Sequence, residues 1–322
     1  MAASGEHVKA LVRSHASGDD TAFYSVAMQV AAQAARQGHS RLASDIKHVI
    51  DQAREEPVVQ NVTSIAKPRG DLAELVHATF PKSTLKEFVG PSQLLEQIQL
   101  VIREQMQRSK LFEHGFAPTH RLLLEGPPGT GKTLTAGVIA HQLSLPLLTV
   151  RLDGLLSKYM GETAGKLRTV FDAVNSQRAV YLFDEFDALG ADRAGNDVGE
   201  ARRILNSFLV FLEEASAESV VIAATNHRGI LDPALFRRFD QVISYDLPDA
   251  TQASKILRTR LGALGKGIRW GSVAAKAQGL SHAELVKAAE SAAKVSLLRG
   301  GDIVTTAELV NAVEIRRLAS HG

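Results

Sequence analysis

RLLLEGPPGTGKTLTAGVIAHQL, residues 121–143, is the stretch from which the rest of the chain can be read. Leu122 to Leu124 form an apolar run of strand length, which stops at a glycine-rich turn and gives way to a helical pattern. The turn, GPPGTGKT at 126–133, fits G-x-x-x-x-G-K-[ST]. Gly126, Gly129 and Gly131 let backbone N–H groups converge on an anion, Pro127, Pro128 and Thr130 complete the loop, and Leu134 follows it into the helix. In such a cradle Lys132 reaches β- and γ-phosphate oxygens, and the Thr133 hydroxyl is placed to bind Mg²⁺. The bare pattern arises by chance in roughly one chain in a hundred of this length. Between a strand and a helix it reads as a site for ATP and Mg²⁺.

Four further apolar runs follow: LLTVR at 147–151, AVYLFD at 179–184, VVIAAT at 220–225 and QVISY at 241–245. Each is succeeded by a loop and a helical pattern, the alternation of a parallel sheet covered by helices on both faces. A phosphate loop calls for a second element, an apolar strand ending in an acid. VYLFDE, residues 180–185, supplies it, with Asp184 at the strand end to hold the metal and Glu185 to orient and deprotonate an attacking water. Alone, such an acidic pair is usually a solvated strand terminus; beside a phosphate loop the preference reverses. Asn226, closing AATN, is either a strand-end turn residue or an amide that polarises the water or contacts the γ-phosphate. LDPALFRRFD, residues 231–240, places Arg237 and Arg238 just before the fifth run. They are either a solvated face or a source of positive charge for the phosphoryl transition state, a role worth on the order of 10³ to 10⁵ in rate.

The flanks have a different texture. Residues 1–54 read as a small helical module: Asp19 and Asp20 can cap a segment carrying Phe23, Val26, Ala27, Val30, Ala31 and Ala34, and Gly38 stops it. Residues 55–84, punctuated by Pro57, Pro68 and Pro81, read as a connector, and 85–248 as the α/β core. After Asp249 the apolar runs end, and three helical patterns make 249–322 a separate helical domain.

Composition narrows the function classes. The 322 residues carry 37 Lys and Arg against 35 Asp and Glu, and a net charge of +2 argues against a nucleic-acid or anionic-membrane partner recruited by bulk charge. Cysteine is absent, which removes disulfides and thiolate metal ligands. No apolar run approaches the roughly 18 residues of a membrane span, and the first residues lack the apolar centre of a signal peptide. These features lead to the expectation of a cytoplasmic protein.

Taken in order, GPPGTGKT, VYLFDEFDAL, VVIAATN and LDPALFRRFD resemble one family closely: the AAA+ ATPases, within them the AAA group that includes spastin, katanin and FtsH. The resemblance runs from about Leu85 to Leu318. It implies a P-loop core with a five-stranded parallel sheet of order 5-1-4-3-2, a C-terminal helical lid, and a ring, typically a hexamer, with ATP between neighbours. Arg237 and Arg238 would then act on the ATP of the adjacent subunit, and Val89 and Gly90 resemble the family's adenine contact. In the lid, GLSHAEL departs from the family phrase GYSGADL: Ser281 is followed by His282 where a small residue is expected. His282 either alters nucleotide affinity or points to solvent.

The resemblance also explains LLSKYMGETAG, residues 155–165. It follows the second run, where the family carries the loop lining the central pore, and Lys158, Tyr159 and Met160 match the aromatic-containing phrase. Tyr159 would grip an extended polypeptide with little regard to sequence, and the adaptable thioether of Met160 suits that role. Residues 190–199 are a second pore-loop candidate by position only. The leading reading is an ATP-driven motor that remodels or unfolds a protein substrate, with the N-terminal helices docking substrate or adaptor. Two alternatives stay open: a nucleotide-gated regulator of a partner, such as a serine protease, and a nucleic-acid loader. The chain itself carries neither H-E-x-x-H nor G-x-S-x-G.

Overall fold

The computed structural model describes Lys9, residues 20–36, isolated positions within 38–47, Pro68, and residues 70–320 apart from 86–87, 156–161, 190–197 and 228–232. The chain divides into two units, Met1–Ser64 and Ile65–Gly322.

In the first unit, helix α1 spans Asp20–Arg36. Ala27, Ala31 and Ala34 form its buried stripe, at the spacing that puts side chains on one helix face. Gly38, at φ +85°, closes it: its N–H donates to the Ala35 carbonyl and that of His39 to the Ala34 carbonyl. The proposed cap Asp19, and most of residues 40–54 of the expected helical module, lie outside the described residues.

The second unit is built on a mixed six-stranded sheet of order β1-β3-β4-β5-β2-β6. Its strands are β1 Val76–Thr79, β2 Arg121–Glu125, β3 Leu147–Val150, β4 Val180–Phe183, β5 Val220–Thr225 and β6 Gln241–Ser244. The expectation of five parallel strands needs correction. Helix α2, Asp71–Leu75, leads into β1, which pairs antiparallel with β3, so part of the stretch taken as a connector belongs to the sheet. Only Val76 of β1 is buried, so the strand has no apolar run to reveal it. The corner it makes is tied down: the Arg151 N–H donates to the Leu75 carbonyl at 2.8 Å. A Cβ on Gly154 would stand 3.3 Å from the Glu74 carbonyl oxygen.

The central runs are apolar throughout because the sheet is buried on both faces. Leu123, Tyr181, Phe183, Val221 and Ala223 pack into one cluster, and Leu122, Leu124, Val180, Leu182 and Ile222 into the other, by strict alternation. Helices α3 Ser92–Met106 and α5 Lys132–Gln142 contribute Ile98, Val101, Ala136 and Ile139 to the second cluster. Helices α7 Glu162–Ser176 and α8 Val198–Glu213 supply Phe171 and Phe208 to the first. There Phe171 stacks on Phe183 at 5.7 Å, and Phe208 meets Phe183 edge-on at 5.0 Å. Short helices α4 Arg108–Glu113, α6 Leu152–Leu155 and α9 Pro233–Phe236 complete the connections.

Beyond the sheet, α10 Ala250–Leu261, α11 Trp270–Ala277, α12 His282–Leu298 and α13 Thr306–Ser320 enclose a core of Leu257, Val273, Leu285, Leu309 and Val313. Three helices were expected here; α11 escaped because it is only eight residues long, with Gly271 in its first turn. Asp249 and Ser281 each open a helix through a capping box, with Gln252 and Glu284 as the reciprocal partners. Among the described residues no helix is long and apolar enough to cross a membrane.

Candidate active site

Parallel register brings the chemistry to one edge of the sheet. Glu125 pairs with Thr225 and Phe183 with Ala223, and β5 lies between β2 and β4, so the chain leaves these strands side by side at Gly126, Asn226 and Asp184. Ligands of open α/β sheets gather at such carboxyl ends.

The glycine-rich turn is shaped by close approach. At Gly126 a Cβ would stand 2.2 Å from the Tyr245 carbonyl oxygen, so no larger residue fits. The same tyrosine donates its hydroxyl to Thr135 Oγ1 at 2.7 Å, fixing the first turn of α5. Thr130 closes the loop on itself by donating to the Pro127 carbonyl at 2.8 Å.

Lys132 is buried, and its ammonium donates to the carbonyls of Gly126 and Pro127 at 2.7 and 2.9 Å and to Asn226 Oδ1 at 2.8 Å. Burial holds its pKa below the ordinary lysine value, against the opposing pull of Asp184 and Asp187. Thr133 donates its hydroxyl to Asp184 Oδ2 at 2.7 Å. Glu185 is exposed and adopts φ +52°, a left-handed conformation rare for a residue with a side chain. Its N–H donates to Asp184 Oδ1 at 3.0 Å. Backbone strain of this kind collects at functional sites.

The C-terminal helices, which the family resemblance reads as a lid, border the other side. The Ala283 N–H donates to the Gly129 carbonyl at 3.0 Å, and a Cβ on Gly129, at φ +72°, would come within 2.8 Å of Ser281 Oγ. The loop and the lid helix α12 therefore enclose a cavity of about 330 Å³, lined among others by Lys132, Thr133, Asp184, Glu185, Asn226 and His282. Burial pushes the His282 imidazole below its usual pKa and so favours the neutral ring.

Other expected site residues lie elsewhere. Val89 packs against the lid core, and Gly90 sits so close to Phe88 and Leu94 that a Cβ would meet them at 2.8 and 3.0 Å; neither lines the cavity. Phe88 stands 3.4 Å from where a Gly131 Cβ would be, a contact the sequence did not announce. Arg237 and Arg238 are exposed, and neither lines the cavity. Arg238 pairs with Glu213 at the end of α8, and Arg237 makes no ion pair among the described residues. Lys158, Tyr159 and Met160 lie outside the described residues, as does most of the second pore-loop candidate, 190–199. Asp187, unremarked in the sequence beyond its place in DEFD, accepts hydrogen bonds at the end of β5.

Residues 122–247 match the family described as ATPase family associated with various cellular activities (AAA). The uncharacterized AAA family ATPase y4kL of Sinorhizobium fredii (strain NBRC 101917 / NGR234) is 30% identical over 299 residues, 92% of this chain and 90% of its own length. The chain belongs to the AAA family of ATPases. This AAA protein also resembles ATP-dependent zinc metalloprotease FtsH 3 of Sphaerobacter thermophilus, at 34% identity over 73% of this chain and 50% of that protein. Proteasome-activating nucleotidase of Pyrococcus horikoshii is 32% identical over 73% of this chain and 61% of its own length. As an AAA ATPase it binds nucleotide and hydrolyses ATP.

Proposed function

We propose that this AAA ATPase works as a ring, with ATP at each interface, and drives remodelling or unfolding of a protein substrate. One observation supports it above others. In the register of β6 against β2, Gln241 pairs with Leu122 and Ser244 with Glu125. Arg237 and Arg238 precede β6, so they leave the sheet at the edge opposite Gly126, about 16 Å away at ~3.3 Å per strand residue. The chain cannot bring these guanidinium groups to its own phosphates without dismantling the sheet. A neighbouring copy can supply them.

Within the site, Lys132 and the loop N–H groups bind the phosphates, Glu185 takes the proton of the attacking water, and Asn226 steadies that water or the γ-phosphate. Mg²⁺ fits the hard-oxygen pair of Thr133 and Asp184, where it would neutralise phosphate charge. Val89, packed against the C-terminal helical core, and Gly90 beside it would sense the adenine end, and Ser281 and His282 the lid side of the nucleotide. Closure of the lid on ATP would move the loop of Lys158, Tyr159 and Met160, and Tyr159 would grip the polypeptide. The names of FtsH and proteasome-activating nucleotidase, relatives tied to proteolysis, favour a protein substrate over nucleic acid.

Complementation tests the shared site. Glu185→Gln and the double variant Arg237→Ala/Arg238→Ala should each be inactive alone. Mixed, they should recover ATPase activity, because some interfaces then join an intact base to intact arginines. A mixture as inactive as its components, with assembly verified by sedimentation, rejects the shared site. Tyr159→Ala should keep ATPase activity and lose unfolding of a tagged fluorescent substrate; full unfolding by that variant removes the grip from the reading.

A further inference from the structure

Asp187 stands in the 3₁₀ turn Phe186–Leu189, two residues past Glu185, and does not line the nucleotide cavity. Its Oδ1 accepts the Thr225 hydroxyl at 2.9 Å and the Asn226 N–H at 3.3 Å. Thr225 Oγ1, engaged in this way, also accepts the His227 N–H at 3.0 Å. Thr225 is fully buried, so its hydroxyl has no water to turn to, and the carboxylate satisfies it. One oxygen therefore holds the last residue of β5 and the residue that follows.

What that strand end presents is the side chain of Asn226. An ammonium only donates, so the bond from Lys132 commits the amide oxygen and leaves the amide NH₂ for a phosphate oxygen or a water. Asp187 is equally fixed to the other half of the chemistry. The Ala188 N–H donates to the Glu185 carbonyl at 2.8 Å, which closes Glu185 to Ala188 into one hydrogen-bonded turn. Phe186, fully buried against Phe208 at 4.5 Å, anchors that turn in the core. Glu185 and Asn226 thus sit on different strands' ends, and the hydrogen bonds from Thr225 and Asn226 to Asp187 join their segments.

We propose that Asp187 is a positioning residue for ATP hydrolysis: it staples the turn bearing Glu185 to the strand end bearing Asn226, and so fixes the spacing of base and amide around the attacked phosphate. The proposal rests on the assignment of Glu185 as base. A residue serving only to cap the strand would affect folding, nucleotide affinity and turnover together. A staple affects turnover alone, because ground-state nucleotide is held by the loop and Lys132.

Purified Asp187→Ala, Asp187→Asn and Thr225→Val should be compared with the unaltered protein for kcat, KM for ATP, affinity for ADP by calorimetry, and Tm. Asp187→Ala and Thr225→Val should lower kcat by about tenfold or more with KM and ADP affinity within about twofold. Asp187→Asn, whose amide oxygen accepts both bonds, should recover most of the rate, and the double variant Asp187→Ala/Thr225→Val should be no worse than the poorer single one. Should Asp187→Ala fail to fold, Thr225→Val and Asp187→Asn decide the matter by the same readings. A kcat within twofold of normal in Thr225→Val, a fall in ADP affinity that matches the fall in kcat, or additive losses in the double variant would each overturn the staple. Glu185→Gln is the control: normal turnover in that variant removes the assignment of the base itself, whereas its inactivity alongside a normal Asp187→Ala removes only the staple.

Discussion

Lys132 Nζ and Asn226 Oδ1 lie 2.8 Å apart, joining the phosphate loop to the end of the neighbouring strand. The same ammonium holds two loop carbonyls, so bound phosphate must compete with bonds the chain already makes. Asn226→Ala frees the lysine from one of three acceptors and removes a preorganised amide. We expect kcat to fall on the order of 10²-fold, as for loss of one transition-state donor, with ATP affinity unchanged or slightly improved. Stopped-flow binding of a fluorescent ATP analogue beside steady-state ATPase assays separates the two.

Thr133 and Asp184, 2.7 Å apart, are the only side chains we assign to Mg²⁺. Thr133→Ala should raise the Mg²⁺ concentration for half-maximal ATPase on the order of tenfold, since metal-site partners are commonly worth 10- to 100-fold. Chelation should abolish turnover and leave the far-ultraviolet circular dichroism unchanged.

Gly129 is where loop and lid touch. A methyl group there would meet Ser281 Oγ at 2.8 Å and Ala283 Cβ at 3.1 Å, on a backbone at φ +72° that disfavours any side chain. Gly129→Ala should push the lid helix away and weaken ADP binding by at least about tenfold. Ser281→Ala, which keeps the contact but loses the cap, should cost about 1 kcal/mol in lid stability. Calorimetry of ADP binding and thermal unfolding of both variants check this.

Asp240 ties the arginine-bearing turn to the start of β2. Its carboxylate accepts the His120 and Arg121 N–H groups at 3.0 and 2.9 Å and the Arg121 guanidinium at 2.9 Å. Burial raises its pKa, but those bonds and the nearby His120 outweigh it and hold the group below its ordinary value of 3.8. A depressed carboxylate stabilises the fold above the unfolded-state pKa and loses that contribution as pH falls through the folded value. Asp240→Asn should therefore melt several degrees lower than the unaltered protein at pH 7, and the gap should close below about pH 3.8. Thermal melts from pH 7 to 3 test the sign.

The parts legible in the sequence are those where one local pattern carries the constraint. GPPGTGKT can be read because the backbone geometry needs glycine at Gly126 and Gly129, and VYLFDE because a strand buried on both faces must be apolar until its last residue. β1 was hidden for the converse reason: three of its four residues face solvent, and its partner β3 lies about seventy residues further on. Asp187 was hidden in plain view, since an acid just past a strand end has many uses and only its approach to Thr225 and Asn226 selects one. The pairing of Arg238 with Glu213 was equally beyond reach, as two surface charges give no sign of meeting.

The corner of α2 and β1 bears on how a motor of this kind would be coupled to its own leading segment. Tension along the backbone ahead of Gly70 arrives at a ladder pairing Val76 with Val150 through Thr79 with Leu147, which carries the load in shear along its length. Because Leu75 also grips Arg151, and Glu74 abuts Gly154, that load passes into the residues immediately before Lys158 and Tyr159. A tug on the front of the chain and the stroke proposed for the aromatic loop would thus share one mechanical linkage.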